Sequence, residues 1–391
     1  MAVGGDDLSS SDMAPSDLAG ADLLSVPKTF GLSVAVKYPV PTSPIAIAAA
    51  DLDGQKGPDV VVGNSGTNGL NVFLNKGDGT FVVATGSPYN IGAIADVALA
   101  DVDGAFGPDI VAASPSALKV EVLLNKGDGT FQAAKPFGNN ANNGLAVGKF
   151  KTTSFDIAYA TDGTGNTGAV GVLLNVGPGN GYFSDQGSYA AGTNNATTTH
   201  LATADFDGKN GTDILVGNAG SSSMGMEARI LLNKGDGTFD TMTQPAYALT
   251  GPLGGIAVGD LDGKNGVDFA VVDAAAIGGV IVYLNNGTGA FQPSAGSPYV
   301  LGGYGGNVAI GDIDQQNGPD LIVTSTKGVE IFLNDGSGGF TKAPGSPFSS
   351  GTAAGSNPYG VTLADLDGKN GLDVIVTNTD DTFAVLLNST H

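Results

Sequence analysis

The sequence predicts an all-β chain, a seven-bladed β-propeller of four-stranded antiparallel blades. Three observations predict it. The first is a repeat. The stretch Asp51-Leu52-Asp53-Gly54-Gln55-Lys56-Gly57-Pro58-Asp59 leads into the apolar run Val60-Val61-Val62. Counterparts start at Asp101, Lys149, Asp205, Asp260, Asp312 and Asp365, 48 to 56 residues apart. A period of this length fixes the architecture before any local reading does. The second is texture: short apolar runs alternate with Gly-rich turns, and 63 of 391 residues are Gly without a three-residue period. That is the signature of short strands, not of helices or collagen. The third is how the chain ends. The last repeat stops at its third strand, Phe383–Asn388, while Phe30–Pro39 reads as an unattached fourth strand. Set beside each other, the two complete blade seven and close the ring, which removes an open sheet edge.

Residues 1–28 are expected to form a disordered acidic tether, with the propeller spanning 29–391. Asp6, Asp7, Asp12, Asp17 and Asp22 sit there among Ser, Ala, Gly and Leu, with no basic residue before Lys28. Such a stretch has too little apolar surface to order itself. It is similar to the spacers that follow the lipidated Cys of some bacterial surface lipoproteins. That similarity implies a lipid anchor outside this chain.

Each repeat then follows one grammar. An inner strand with small residues comes first, such as Ile45-Ala46-Ile47-Ala48-Ala49-Ala50. Small side chains fit the crowded axis of a propeller. The Asp loop follows, then a second, apolar strand. A third strand ends in Leu-Asn every time, at Asn75, Asn125, Asn175, Asn233, Asn285, Asn334 and Asn388. A turn such as Lys76-Gly77-Asp78-Gly79 supplies the positive φ of a tight hairpin. A weaker fourth strand runs on to an aromatic: Tyr89, Phe137, Tyr189, Tyr247, Tyr299 or Phe348.

The Asp loops carry the chemistry. Asp stands at positions one, three and nine in six of them: Asp51, Asp53, Asp59; Asp101, Asp103, Asp109; Asp205, Asp207, Asp213; Asp260, Asp262, Asp268; Asp312, Asp314, Asp320; and Asp365, Asp367, Asp373. These hold 18 of the 38 acidic residues, so the acid is localised rather than spread for solubility. Carboxylates brought so close repel one another and raise one another's pKa. A hard cation taking six to eight oxygens resolves this, and Ca²⁺ does so more readily than Mg²⁺ in a flexible loop. Up to six Ca²⁺ sites are therefore expected. The competing reading is a metal-free turn whose Asp residues accept backbone N–H bonds.

The repeat resembles the FG-GAP or VCBS type found in integrin α-subunit propellers and in many bacterial surface proteins, over about residues 29–391. That family's calcium loop reads D-x-[DN]-x-[DN]-G-x-x-D. Here the fifth position departs from it, with Gln55, Ala105, Lys209, Lys264 and Lys369, and a Gln in the Asp312 loop. One side-chain ligand is thus lost. Weak sites, with Kd of about 10⁻⁴ to 10⁻³ M, would still fill in an extracellular medium. The third loop carries Lys149 and Lys151 at positions one and three. No ion is expected there, and an ammonium is expected to pair with Asp156 instead. The resemblance implies that the Asp-loop face stiffens the blades and lies away from the ligand face.

Composition excludes several functions. The net charge is −22, which disfavours nucleic acid, because phosphate binding needs clustered Lys and Arg. There is no Cys, and only two His. No apolar run approaches the roughly 18 residues of a membrane-spanning helix. No catalytic arrangement is visible, so no enzyme is expected.

Loops carry function more often than the scaffold beneath them. Two long ones, Tyr189–Leu201 and Ala219–Glu227, belong to the fourth repeat, beside Asp162–Gly168 of the third. A ligand patch is expected from Tyr189, Asn194, Asn195, His200, Met224, Met226 and Asp162. The expected function is a recognition or adhesion module, monomeric, secreted or displayed on a bacterial cell surface, with a protein or glycan ligand. The alternative is a calcium-dependent lectin; the less favoured one is a polysaccharide-degrading enzyme.

Overall fold

Each blade is a four-stranded antiparallel sheet, because the second strand of a repeat has an apolar centre and must be covered on both faces. In blade one the strands are Pro44–Ala50, Asp59–Asn64, Leu70–Asn75 and Phe81–Val83, in that spatial order. Every residue of Asp59–Asn64 is buried. The same holds for Asp109–Ser114, Asp268–Asp273, Asp320–Ser325 and Asp373–Asn378 in other blades. The computed structural model describes residues 30–390, except 152–153, 163–166, 178, 195, 221–225, 242, 276–277 and 354. Residues 1–28, read as a tether, lie outside it. Among the described residues there is no helix.

The seven sheets form a closed ring, and the core is a set of layers between blades. One layer joins Val61, Leu70 and Val72 of blade one to Val97, Ile110 and Leu123 of blade two. Another joins Ile375, Phe383 and Val385 of blade seven to Val60, Val62 and Phe73 of blade one. An aromatic pair pins each junction. Tyr89 meets Phe131 edge-on at 5.8 Å, Tyr189 meets Phe239 at 5.5 Å, and Tyr299 meets Phe340 at 5.4 Å. The aromatics that end the fourth strands therefore reach into the next blade, where such edge-to-face pairs add about 0.5–1.5 kcal/mol beyond burial.

The ring closes as the sequence predicts. Val36–Pro39 pairs antiparallel with Thr382–Leu386, with Tyr38 opposite Phe383. Their rings stack at 4.8 Å, and Tyr38 also meets Phe81 of blade one edge-on at 5.6 Å. Lys37 pairs with Asp380 at 3.1 Å. The strand from the N-terminal side thus supplies the outer strand of blade seven and an aromatic for the seventh junction.

One predicted loop is not a loop. Most of Tyr189–Leu201 belongs to two long strands, Phe183–Asn194 and Ala196–Ala204. They place blade three's outer strand directly against the start of blade four's inner strand. The β-branched run Thr197-Thr198-Thr199 favours extended backbone here over an irregular connection.

Inner strands run from the face that carries the blade-to-blade connections to the face that carries the Asp loops. Six of the seven have a register irregularity in their first half: between Pro44 and Ala46, Ala141 and Leu145, Thr198 and His200, Leu253 and Ile256, Gly305 and Val308, and Pro358 and Val361. Bulges of this kind bend a strand and re-aim a side chain. The channel is therefore built differently at its two ends.

Candidate functional site

In the first Asp loop, Asp59 is fully buried and does two jobs. Its Oδ2 accepts the N–H of Leu52 at 2.8 Å, and its Oδ1 accepts the N–H of Asn75 at 2.8 Å. Asp51 accepts the N–H of Gly54 at 2.7 Å, and Asp53 accepts that of Gln55 at 2.8 Å. Lys56 turns the chain in the left-handed region, at φ 61°. The loop is thus a complete set of Asx-type turns. The loops from Asp101, Asp205, Asp260 and Asp365 repeat this pattern. The Asp312 loop departs at its fourth position, which is Gln315 where the other five have Gly, and Gln315 holds φ 60° without glycine's freedom.

The same geometry gathers charge. In the loops from Asp51, Asp101, Asp205, Asp260 and Asp312, each carboxylate brings an oxygen within 4.8 Å of the other two. Burial raises the carboxyl of the ninth Asp, and the charges of its two neighbours add to this. Backbone hydrogen bonds oppose the rise without cancelling it. Asp59, Asp109, Asp268 and Asp373 reach about 6, and Asp213 and Asp320 about 7. An all-oxygen, acid-rich cluster of this kind fits a hard divalent cation. The loops are not equivalent. Lys209 lies 3.8 Å from Asp207, Lys264 4.0 Å from Asp262 and Lys369 3.5 Å from Asp367, each ammonium against the third-position acid.

Blade three keeps the frame with one acid. Asp156 accepts the N–H of Phe150 at 2.9 Å and of Asn175 at 2.7 Å, the same two roles that Asp59 has. The expected ammonium–Asp156 pair takes another form. Lys149 lies over the ring of Phe155, 5.0 Å from its centre. Lys151 reaches Asp156 through its backbone N–H at 3.3 Å, and its charge draws the Asp156 carboxyl down only weakly against burial.

The Asn that ends each third strand is a functional position that the sequence reading treats only as a strand end. Asn75 donates from Nδ2 to the carbonyl of Pro58 in its own loop and to that of Leu366 in the preceding blade's loop, at 3.0 and 2.8 Å. Asn125, Asn175, Asn233, Asn285, Asn334 and Asn388 bond likewise to Leu52, Val102, Phe150, Phe206, Leu261 and Ile313. Seven Asn side chains stitch the ring on the Asp-loop face. The signal was the unbroken Leu-Asn, whose apolar neighbour alone needs no amide.

The residues named for the ligand patch fall in different settings. Tyr189 spends its ring on the junction with Phe239, and Met226 packs into the layer between blades four and five. Asn194 and Asp162 lie in strands, and Asn195 and Met224 lie outside the described residues. His200 has a different setting. It lines a cavity of about 470 Å³ on the axis, in the half of the channel away from the Asp loops.

All seven blades line this cavity. The bulges deliver Ile45, Asn143, Thr199, Asn307 and Tyr359 to it, and blade two supplies Asp96. Glycine makes room: a Cβ on Gly144 would stand 2.5 Å from the Thr199 carbonyl oxygen, and one on Gly360 2.6 Å from that of Ile45. Asp96 accepts the N–H of Val97 at 2.8 Å and that of Leu145 in the next blade at 3.0 Å. Burial pushes its carboxyl up to about 6. Burial also takes His200 down to about 4, and its Nδ1 lies 3.1 Å from Thr199 Oγ1. Tyr359 is 44% exposed. Among the described residues, no Lys or Arg lines the cavity.

Comparison with known proteins bears on the fold. The FG-GAP-like repeat family model matches residues 312–376, which run from the sixth Asp loop into the last blade. No curated protein matches the sequence significantly. Among solved structures, BBS1N, in a complex with ARL6DN soaked with mercury, is similar with a TM-score of 0.59 at 13% identity, over 93% of this chain and 97% of that one. An Agrocybe aegerita lectin, described as recognising non-reducing terminal N-acetylglucosamine, gives 0.50 at 21% identity, over 88% of each chain. At such identities these likenesses concern the fold alone. The chain thus carries an FG-GAP-like repeat over residues 312–376, and its seven four-stranded blades close into a β-propeller whose Asp loops support an FG-GAP-type reading of the other repeats.

Proposed function

We propose that the chain is a non-enzymatic recognition module, secreted or held at a cell surface, that binds its partner on the face opposite the Asp loops. One observation carries the reading: the two faces differ in kind. The Asp-loop face repeats one hydrogen-bond frame in every blade, even where Lys149 and Lys151 replace the acids. Such uniformity suits scaffolding. The opposite face opens on a cavity in which every blade contributes a different side chain.

Calcium belongs to the scaffold in this reading. The first, third and ninth Asp of each acidic loop would hold the ion, and the ion would supply the positive charge that lets the ninth Asp ionise. The loops from Asp51 and Asp101, whose third-position acids face no ammonium as those of Asp207, Asp262 and Asp367 do, are the favoured sites. The FG-GAP-type repeat supports an extracellular setting. Catalysis has little support in this reading, since burial keeps His200 neutral and its Nδ1 is engaged with Thr199 Oγ1.

The partner is a protein or a glycan. BBS1N was solved bound to a protein, and the fungal lectin is described as a sugar binder. The test is a glycan array run beside binding of labelled protein to whole cells, each in Ca²⁺ and in EDTA. The double variant Asn143→Glu/Tyr359→Glu serves as the control for the face. Undiminished binding by that variant, folded by circular dichroism, would overturn the assignment of the face. Turnover of a glycan would overturn the non-enzymatic reading.

A further inference from the structure

The axial cavity has a definite electrostatic character. Among the described residues, Asp96 is the one acidic residue that lines it, and no basic residue lines it. Its two oxygens are fixed by the amides of Val97 and Leu145, so the carboxylate cannot turn away. The bond to Leu145 also satisfies a backbone N–H at the edge of blade three's bulge. Burial keeps His200 neutral, so it adds no offsetting charge. Burial raises the phenol of Tyr359, and the charge of nearby Asp96 adds to the rise. Ile45, Leu253 and Ile256 give the cavity an apolar wall.

We propose that this cavity binds a primary ammonium group carried on a short aliphatic stem. Asp96 accepts the ammonium in charge-assisted hydrogen bonds, which are about twice as strong as neutral ones. Tyr359 offers a π face to the same cation. The isoleucine wall takes the stem. The cavity lies at the lower end of the usual range for small-ligand pockets, roughly 300–1,000 Å³. A net charge of −22 draws cations toward the molecule and repels carboxylates. The ammonium has two possible sources, a lysine side chain of a protein or a free alkylamine. The proposal rests on the reading of this face as the binding face. It is tested on small probes, so it can fail while a macromolecular ligand is still found there, and the reverse.

The experiment is isothermal titration calorimetry at pH 7.5, with the Asp loops saturated by Ca²⁺ so that they do not compete. The probes are butylammonium, butanol, butyrate, N-acetylglucosamine and a capped Ala-Ala-Lys-Ala-Ala peptide. Butylammonium should bind once per chain, at least about tenfold more tightly than butanol, and butyrate should not bind. Asp96→Asn should weaken butylammonium by about tenfold or more. Asp78→Asn, in an exposed hairpin turn, should leave it unchanged. A peptide that binds more tightly than butylammonium identifies a protein lysine as the source, and the opposite order a free amine. If Asp96→Asn does not fold, Asn307→Lys places an ammonium at the cavity wall and should abolish probe binding. Equal binding of butanol or N-acetylglucosamine, several sites per chain, an unaffected folded Asp96→Asn or no binding at millimolar probe would each overturn the proposal.

Discussion

Asn75 Nδ2 donates to the carbonyl oxygen of Leu366 at 2.8 Å, across 291 residues of sequence. This one amide joins the first blade's third strand to the last blade's Asp loop. It is the seventh member of a set whose other six join blades adjacent in sequence.

The stitch should matter with or without acid around it. Asn75→Ala leaves the carbonyls of Pro58 and Leu366 without their donor, a loss of about 1–3 kcal/mol. Asn175→Ala in blade three should cost about the same, since its partners Val102 and Phe155 are equivalent. Urea denaturation measures both. A costly Asn75→Ala beside a neutral Asn175→Ala would mean that the amide matters only where the acidic triad is present.

Calcium should raise the melting temperature of metal-stripped protein, and magnesium should do so less. One site filled at ten times its Kd adds about 1.4 kcal/mol, and several sites add more. Asp53→Asn or Asp103→Asn should blunt the response more than Asp207→Asn, whose acid already faces Lys209. Lys209→Gln/Lys264→Gln/Lys369→Gln should strengthen it. No Ca²⁺ response in scanning calorimetry would make all the loops self-sufficient turns.

The metal-free protein should lose stability as pH rises from about 5 to 7.5. The ninth Asp of each acidic loop and Asp96 have folded pKa values of about 6 to 7, above the unfolded value of about 3.9. The folded state therefore holds these protons more tightly. Their contribution is complete below about pH 4 and disappears as pH passes through 6 to 7. His200 works the other way, since its folded value of about 4 lies below 6.5, but it is one group against seven. Hairpin acids such as Asp78 and Asp128, drawn down by hydrogen bonds to Thr80 and Thr130, matter only below about pH 4. Ca²⁺ should flatten the slope. Melting in EDTA that is level or rises over this range would contradict the charge balance of the loops.

Ring closure should depend on one ring. Tyr38→Ala removes the side chain stacked on Phe383 and set against Phe81, a loss of about 3–5 kcal/mol for a large aromatic. Tyr38→Phe should cost less, since it keeps the stack and loses only the hydroxyl's hydrogen bond with the Phe81 backbone. Chemical denaturation of both variants checks this. Equal losses would shift the role to the hydroxyl.

The fold was legible because periodicity and turn chemistry are properties of the chain itself. The Asp loops, the buried second strands and the closing segment around Tyr38 all follow from one repeated pattern. The loop reading stopped short at Asp59, whose two bonds to Leu52 and Asn75 are invisible until the third strand is laid beside the loop. The binding face was read from loop length, which says nothing of the axial cavity. Tyr189 looked like a loop residue and turned out to be a junction aromatic. Asp96 and Tyr359 lie 263 residues apart and share a cavity only because a ring brings first halves of inner strands to one axis. His200 was named for its neighbours in sequence and owes its place to the same axis.

The Asn stitches run in one direction. Each blade gives a donor to the blade before it and offers a carbonyl to the blade after it, so the contacts are head-to-tail. Interfaces of that kind end in a ring or continue as a filament, and only the angle between units decides which. Here the seventh step returns to the first, and the strand containing Tyr38 locks it. A molecule whose lock was released would present a donor at Asn75 and an acceptor at Leu366 on opposite sides of the cut. A second molecule opened the same way would match both. Closure thus keeps the chain from polymerising as well as from unfolding.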